Sequence, residues 1–191
     1  GFESGWRVQL FAAVAALSGA ALLHLAEKRW PDIQEALIGS VFVTAASAGV
    51  LLLARDPHGG EAMHDLLAGQ LLWVSQPQLV WAALVTAGLG VLLLTRLARS
   101  GLGFYLLFAC AVTLSVQLAG VYLVFASLII PALAMRKVKG FAGLAAGWVV
   151  GAVAYGLGLA ASALFDLPAG AVVVCLLAIL AVMAGVGSGS R

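Results

Sequence analysis

The stretch 104–134 contains no charged residue, and its length constrains the fold of this chain more than any other feature of the sequence. An α-helix rises about 1.5 Å per residue, so one continuous helix over this stretch would be about 46 Å long. The hydrocarbon core of a bilayer is only about 30 Å thick, yet the stretch is too short for two full crossings. Gly120 and Pro131 both weaken a helix. Such residues are tolerated in membrane helices where neighbouring helices or cavities satisfy the backbone groups that are left without a hydrogen bond. The sequence therefore predicts a broken helix with a partial return.

The rest of the chain carries similar apolar runs, at 8–26, 36–54, 78–95, 141–164 and 168–186. Hydrophobic residues make up 63% of the chain and charged residues only 9%, against about a quarter charged in a soluble domain. Each run has the length of one helical crossing, and none alternates as a barrel strand would. We therefore expect an all-α, polytopic transmembrane helical bundle of about six spans, one of them broken or re-entrant. The whole chain, 1–191, is interpreted as one transmembrane domain.

Basic residues predict the orientation of the bundle. They form three clusters between the apolar runs: Lys28 and Arg29; Arg96 and Arg99; and Arg136, Lys137 and Lys139. Because Lys and Arg collect in cytoplasmic loops, all three clusters are predicted to lie inside. The run 104–134 then starts and ends on the cytoplasmic side, which requires the same turn that its length indicates. The net charge of +2 gives no reason to expect a nucleic-acid partner.

The most informative motif is the stretch 112–140, which reads VTLSVQLAGVYLVFASLIIPALAMRKVKG. It resembles the permeases of ATP-binding cassette (ABC) importers for zinc, manganese and iron, in which a span ending in a valine-glutamine-valine-glycine-like stretch leads into LIIPA. The matching residues are Ser115, Val116, Gln117, Gly120, Ser127, Leu128, Ile129, Ile130, Pro131 and Ala132. Further matches at 35–53, 64–75 and 165–174 keep the order and spacing of that family, so the resemblance covers nearly the whole chain.

The resemblance implies a multi-pass permease of the bacterial cytoplasmic membrane that carries a divalent metal ion as substrate, binds no cofactor and catalyses no covalent reaction. Gln117 and Gly120 would form a pathway or hinge. Pro131, Ala132, Arg136, Lys137 and Lys139 would form the coupling segment that docks into a groove of the ATPase, with Pro131 able to start a short helix. A plain basic loop is the alternative for this segment.

The partners follow from the same resemblance. The sequence holds no GxxxxGK[ST] motif, so ATP would be hydrolysed by a separate cytosolic ATPase. An extracytoplasmic metal-binding protein would deliver the ion, and a second copy of the permease would complete a homodimer in the bilayer.

Candidate metal ligands lie in the polar segment 54–78. His58, His64 and Asp65 are the foremost candidates, since imidazole and carboxylate groups suit zinc, manganese and iron(II). A solvated loop with docking and helix-capping roles is the alternative. Family members ordinarily carry about two more spans before the point that corresponds to Gly1, so the chain is interpreted as an N-terminally truncated piece that lacks part of the path.

Two other classes of function remain as alternatives. A permease for iron chelates or a corrinoid would need a wider and more polar cavity than a bare ion does. A non-transport membrane scaffold or an intramembrane enzyme is the other alternative, although the spans show no HExxH motif and no paired carboxylates. Cys110 and Cys175 lie alone in different apolar runs and are interpreted as packing residues.

Overall fold

The computed structural model describes residues 14, 17–21, 23–24, 30–54, 76–95 and 101–187. Every regular element within these ranges is a helix. The predicted all-α class is therefore confirmed.

Among the described residues, six α-helices follow the short 3-10 turn Pro31–Ile33. They are α1 (Gln34–Leu53), α2 (Gln76–Leu93), α3 (Gly101–Ala119), α4 (Val121–Met135), α5 (Phe141–Phe165) and α6 (Ala169–Gly187). Their ends differ from the predicted ends by at most a few residues. In the described ranges, four helical segments are long and apolar enough to cross a membrane: Pro31–Leu53, α2, α3 and α5.

The long apolar stretch is broken at Gly120, as predicted. Gly120 has φ 84° and ψ 157°, a backbone region that is essentially restricted to glycine. Its N–H donates to the carbonyl of Val116 at 2.9 Å, and its own carbonyl accepts from Val124 at 3.2 Å. Gly120 thus ends α3 and begins α4. The 19 residues of α3 give a helix of about 28 Å, whereas the 15 residues of α4 give only about 22 Å.

The core of the described structure is built around α4. Leu123, Ala126 and Ile130 form its buried face, and Leu123 is only 1% exposed. They pack with residues of α1, α5 and α6: Val43, Ala154, Val173, Val174 and Leu177. By contrast, α2 has no buried residue, and α3 buries only Gly103 and Leu107. The short helix α4 therefore packs one face against α1, α5 and α6, while α2 and α3 present broad apolar surfaces.

Close contacts between glycines and neighbouring helices show how α4, α5 and α6 are arranged. A Cβ atom placed on Gly147 of α5 would lie 3.7 Å from the carbonyl oxygen of Pro131 in α4. Later in α5 and earlier in α4, the Tyr155 hydroxyl lies 2.7 Å from the Ser127 hydroxyl. The residue numbers run in opposite directions along the two helices. α4 and α5 therefore form an antiparallel hairpin.

Helix α6 packs just as closely against α5. A Cβ atom on Gly158 would lie 2.9 Å from the Cα atom of Val173 and 2.5 Å from its Cγ2 atom. The chain reverses between the two helices at Asp166, which adopts the left-handed conformation with φ 51° and whose N–H donates to the carbonyl of Ser162. The absence of a side chain at Gly158 is what allows the two helices to come together.

The start of α1, the end of α4 and the end of α6 lie at one end of the bundle. Trp30, Arg136, Lys137 and Gly185 line a single groove there. In the sequence, Trp30 follows directly after the first basic cluster. This end is called the basic end below. The first basic cluster, Lys28 and Arg29, lies outside the described residues.

Candidate functional site

A turn with three exposed cations joins α4 to α5 at the basic end. Arg136, Lys137 and Lys139 are all exposed. No ion pair joins them to a carboxylate among the residues that the structure describes. The turn therefore presents unneutralised positive charge at its surface, which suits a docking surface for an acidic or anionic partner.

The backbone of this turn is held by a hydrogen bond within the turn and by two glycines that follow it. The N–H of Val138 donates to the carbonyl of Met135 at 2.9 Å. Gly140 adopts φ 74° and ψ −159°, again a region that is essentially restricted to glycine. Gly143, in the first turn of α5, packs so tightly that a Cβ atom there would collide with the carbonyl oxygen of Val138. The turn is thus packed directly against α5.

Pro131 does not start a short helix, contrary to the prediction. It lies inside α4 and is buried. Proline lacks an N–H group, so the carbonyl four residues earlier, that of Ser127, receives no bond from it. Gly147 lies directly against Pro131, and tertiary packing of this kind lets a membrane helix continue through a proline. Ala132, the next residue, is exposed, as a docking residue has to be.

One polar contact between α4 and α5 was not predicted from the sequence. The Ser127 hydroxyl donates to the carbonyl of Leu123 at 2.6 Å and also meets the Tyr155 hydroxyl at 2.7 Å. Tyr155 is the only hydroxyl-bearing residue in the small-residue run 143–158, GLAAGWVVGAVAYGLG. A single hydroxyl in a run of small and apolar residues was a signal in the sequence. The hydrogen-bond partner of Tyr155 could not be identified without the packing of α4 against α5.

Gln117 and Gly120 lie at the break between α3 and α4. Gly120 is buried, whereas Gln117 is exposed one turn before the end of α3. No hydrogen bond holds the Gln117 side chain within the described ranges. Helix α6 begins beside this break, since a Cβ atom on Gly170 would lie 3.8 Å from the carbonyl oxygen of Ala119. The break therefore combines an unpaired amide with the carbonyl end of a helix, whose last carbonyls lack intrahelical partners.

The predicted metal ligands His58, His64 and Asp65 lie outside the described residues. Within the described ranges, no group of three or more His, Cys, Asp or Glu residues could hold a metal ion. Cys110 and Cys175 are both free thiols. The part of the predicted site that the structure describes is therefore the coupling segment and the broken helix.

Comparison with known proteins gives a family match over the C-terminal part of this chain. Residues 96–187, just under half of the chain, match the family model of the ABC 3 transport family. No match was found among curated proteins or among solved structures. The matched range contains α3, the break at Gly120, the coupling segment and the α5–α6 hairpin. The apolar helices and this match together support a multi-pass membrane protein, and the match indicates the permease subunit of an ABC transporter.

Proposed function

We propose that this chain is the membrane-spanning permease of an ABC importer for a divalent metal ion: zinc, manganese or iron. The observation that carries the proposal is the connection of an exposed cationic turn to a broken helix by a single packed helix, α4. This part of the chain supplies what an ATP-driven permease needs: a contact surface for the cytosolic ATPase and a movable element in the membrane.

The mechanical part of the proposal concerns α4 and its two ends. Gly120 and Gly140 bound this region, and both adopt conformations that are essentially restricted to glycine. Between them α4 is braced by α5 through the Pro131–Gly147 contact and the Ser127–Tyr155 hydrogen bond. A force on the turn is then transmitted to the break over a distance of about 22 Å, the length of a 15-residue helix. Alternating access follows if Gly120 acts as the hinge.

The transport pathway is assigned to the break itself. An amide that faces lipid without a partner is costly, so exposed Gln117 is better accounted for by a water-filled path or a neighbouring subunit. The C-terminal end of a helix carries partial negative charge, which favours a cation. Carbonyl oxygens also suit manganese, while imidazoles suit zinc and iron. Gln117 and the end of α3 would form a weak, transient contact for the ion.

The remaining parts of the importer follow from this assignment. A cytosolic ATPase would bind the segment formed by Pro131, Ala132, Arg136, Lys137 and Lys139. A second copy of the permease would complete a homodimer in the bacterial cytoplasmic membrane. An extracytoplasmic binding protein would release the ion near His58, His64 and Asp65 on the opposite side.

The proposal is tested by reconstituting the complete permease with its ATPase and binding protein in liposomes that contain a metal-sensitive dye. We expect ATP-dependent uptake of zinc, manganese or iron(II). Replacing Arg136, Lys137 and Lys139 together by glutamine should weaken ATPase binding and abolish uptake. Gln117→Leu should lower uptake while ATPase binding is retained.

Two outcomes would contradict the proposal. Uptake of an iron chelate or a corrinoid without uptake of any bare ion would favour the other transport class. Normal ATPase binding and normal uptake by the triple glutamine variant would remove the coupling role of the turn.

A further inference from the structure

An open groove of about 650 Å³ runs along the bundle between α1, α4 and α6. Most of its wall is apolar, formed by side chains such as Leu37, Ala45, Ile130 and Ala181. One of its few polar groups, the Ser40 hydroxyl, already donates to the carbonyl of Ala36 at 2.7 Å. Along most of its length the groove therefore offers few groups that a polar ligand could bind.

The charged end of the groove is different. Arg136 and Lys137 both line it, together with the indole of Trp30. The acidic residues Asp32 and Glu35 are close in sequence to Trp30 but do not line the groove, and no ion pair connects them with either cation in the described part of the chain. Two cations are thus available at one end of the apolar groove, next to a Trp ring of the kind that favours the membrane interface.

We propose that this groove binds one acyl chain of an anionic glycerophospholipid, whose phosphate is held by Arg136 and Lys137. Basic pockets between membrane helices on the cytoplasmic side suit such headgroups. The groove extends from Ile33, directly before α1, to Ala48 within α1, about 22 Å at the rise of an α-helix. One leaflet of the hydrocarbon core is about 15 Å deep, so the groove can take an acyl chain over the full depth of its leaflet.

The charge at one end favours a lipid over a protein occupant. Arg136 and Lys137 lie at one end of an otherwise apolar groove, and an anionic lipid joins a phosphate to an acyl chain in the same arrangement. A single acyl chain is also thin and flexible enough to follow an irregular wall.

The proposal divides the cations of the coupling segment into two groups. Arg136 and Lys137 line the groove, whereas Lys139 does not. A phosphate bound by the first two would partly neutralise the turn and hold the end of α4 against α1 and α6. Anionic lipid would therefore affect how the turn engages its partner, while Lys139 remains available for that partner.

The test is native mass spectrometry of the intact transporter complex, mixed with phosphatidylglycerol or with phosphatidylcholine of identical acyl chains. We expect the wild-type complex to retain phosphatidylglycerol preferentially. The variant Arg136→Gln/Lys137→Gln should lose roughly 25-fold in apparent affinity, a factor of about five for each cation. Ala181→Trp should also lose the lipid by filling the groove, while the matched controls Lys139→Gln and Val149→Trp should retain it.

Equal retention of the two lipids by the wild-type complex would overturn the proposal, as would unchanged phosphatidylglycerol binding in the Arg136→Gln/Lys137→Gln variant. These two residues are exposed, so this variant stays informative even if Ala181→Trp misfolds. Dissociation of permease copies by Ala181→Trp, with lipid binding unchanged, would show instead that the groove is a protein contact. The measurement requires no metal, so its result is distinct from a failure to transport ions.

Discussion

Replacing Gly120 by alanine should destabilise the permease, because the break is formed in a backbone region that a Cβ atom makes unfavourable. At φ 84° and ψ 157°, a non-glycine residue costs on the order of 1–3 kcal/mol. The chain cannot readily avoid this strain by making α3 and α4 continuous. One helix over 101–135 would be about 52 Å long and would displace the buried face of α4, which includes Leu123 and Ile130.

We therefore expect Gly120→Ala to lower the free energy of unfolding by about 2 kcal/mol, a factor of roughly 30 in the unfolding equilibrium. The measurement is denaturant titration of the purified permease in mixed micelles, followed by helical circular dichroism. Gly151→Ala is the matched control, since a Cβ atom at that helical position meets open space, and its stability should be unchanged or higher. Equal stability of the two variants would refute the assignment of a glycine-only break at this position.

Three further substitutions test the packing of α1, α4, α5 and α6, again by unfolding in mixed micelles. Tyr155→Phe removes the hydrogen bond to Ser127 and should lower the free energy of unfolding by about 1 kcal/mol. A double-mutant cycle with Ser127→Ala that gives no coupling energy would contradict this contact. Gly158→Ala should lower the free energy of unfolding by about 1–3 kcal/mol or more, because the new Cβ atom overpacks the contact with α6. Val173→Ala should restore this stability only in part, because the close approach includes the Cα atom of Val173. Ser47 of α1 is 1% exposed, and its hydroxyl has no hydrogen-bond partner within the described residues. Ser47→Ala should therefore leave the free energy of unfolding unchanged or raise it by about 1 kcal/mol. A lower free energy of unfolding would reveal a partner for the hydroxyl.

Most of the secondary structure was predictable, because it depends on properties that are local in the sequence. The break at Gly120 followed from the length of one uncharged run and from the basic residues that flank it. The predicted ends of the spans 36–54, 78–95, 141–164 and 168–186 were close for the same reason, since a run of apolar residues matched to the bilayer thickness indicates a helix directly. The predicted span 8–26 lies mostly outside the described residues. Pro131 was the exception: local propensity predicts a helix start, but packing against Gly147 keeps the proline inside α4.

The candidate site was predictable only in part. The exposure of Arg136, Lys137 and Lys139 agrees with the coupling role inferred from the resemblance, and that role stays a prediction until it is tested. His58, His64 and Asp65 also stay predictions, because they lie outside the described residues.

The sequence by itself determined that this protein is a bundle of membrane helices with one break, because hydrophobicity and length are one-dimensional properties that can be compared with a bilayer. Only the tertiary structure decided that Arg136 and Lys137 share a groove with Trp30, or that Ser127 meets Tyr155. These residues are far apart in the chain, and their proximity depends on which helix faces pack together. Small residues such as Gly147 and Gly158 set that packing by the space they leave empty.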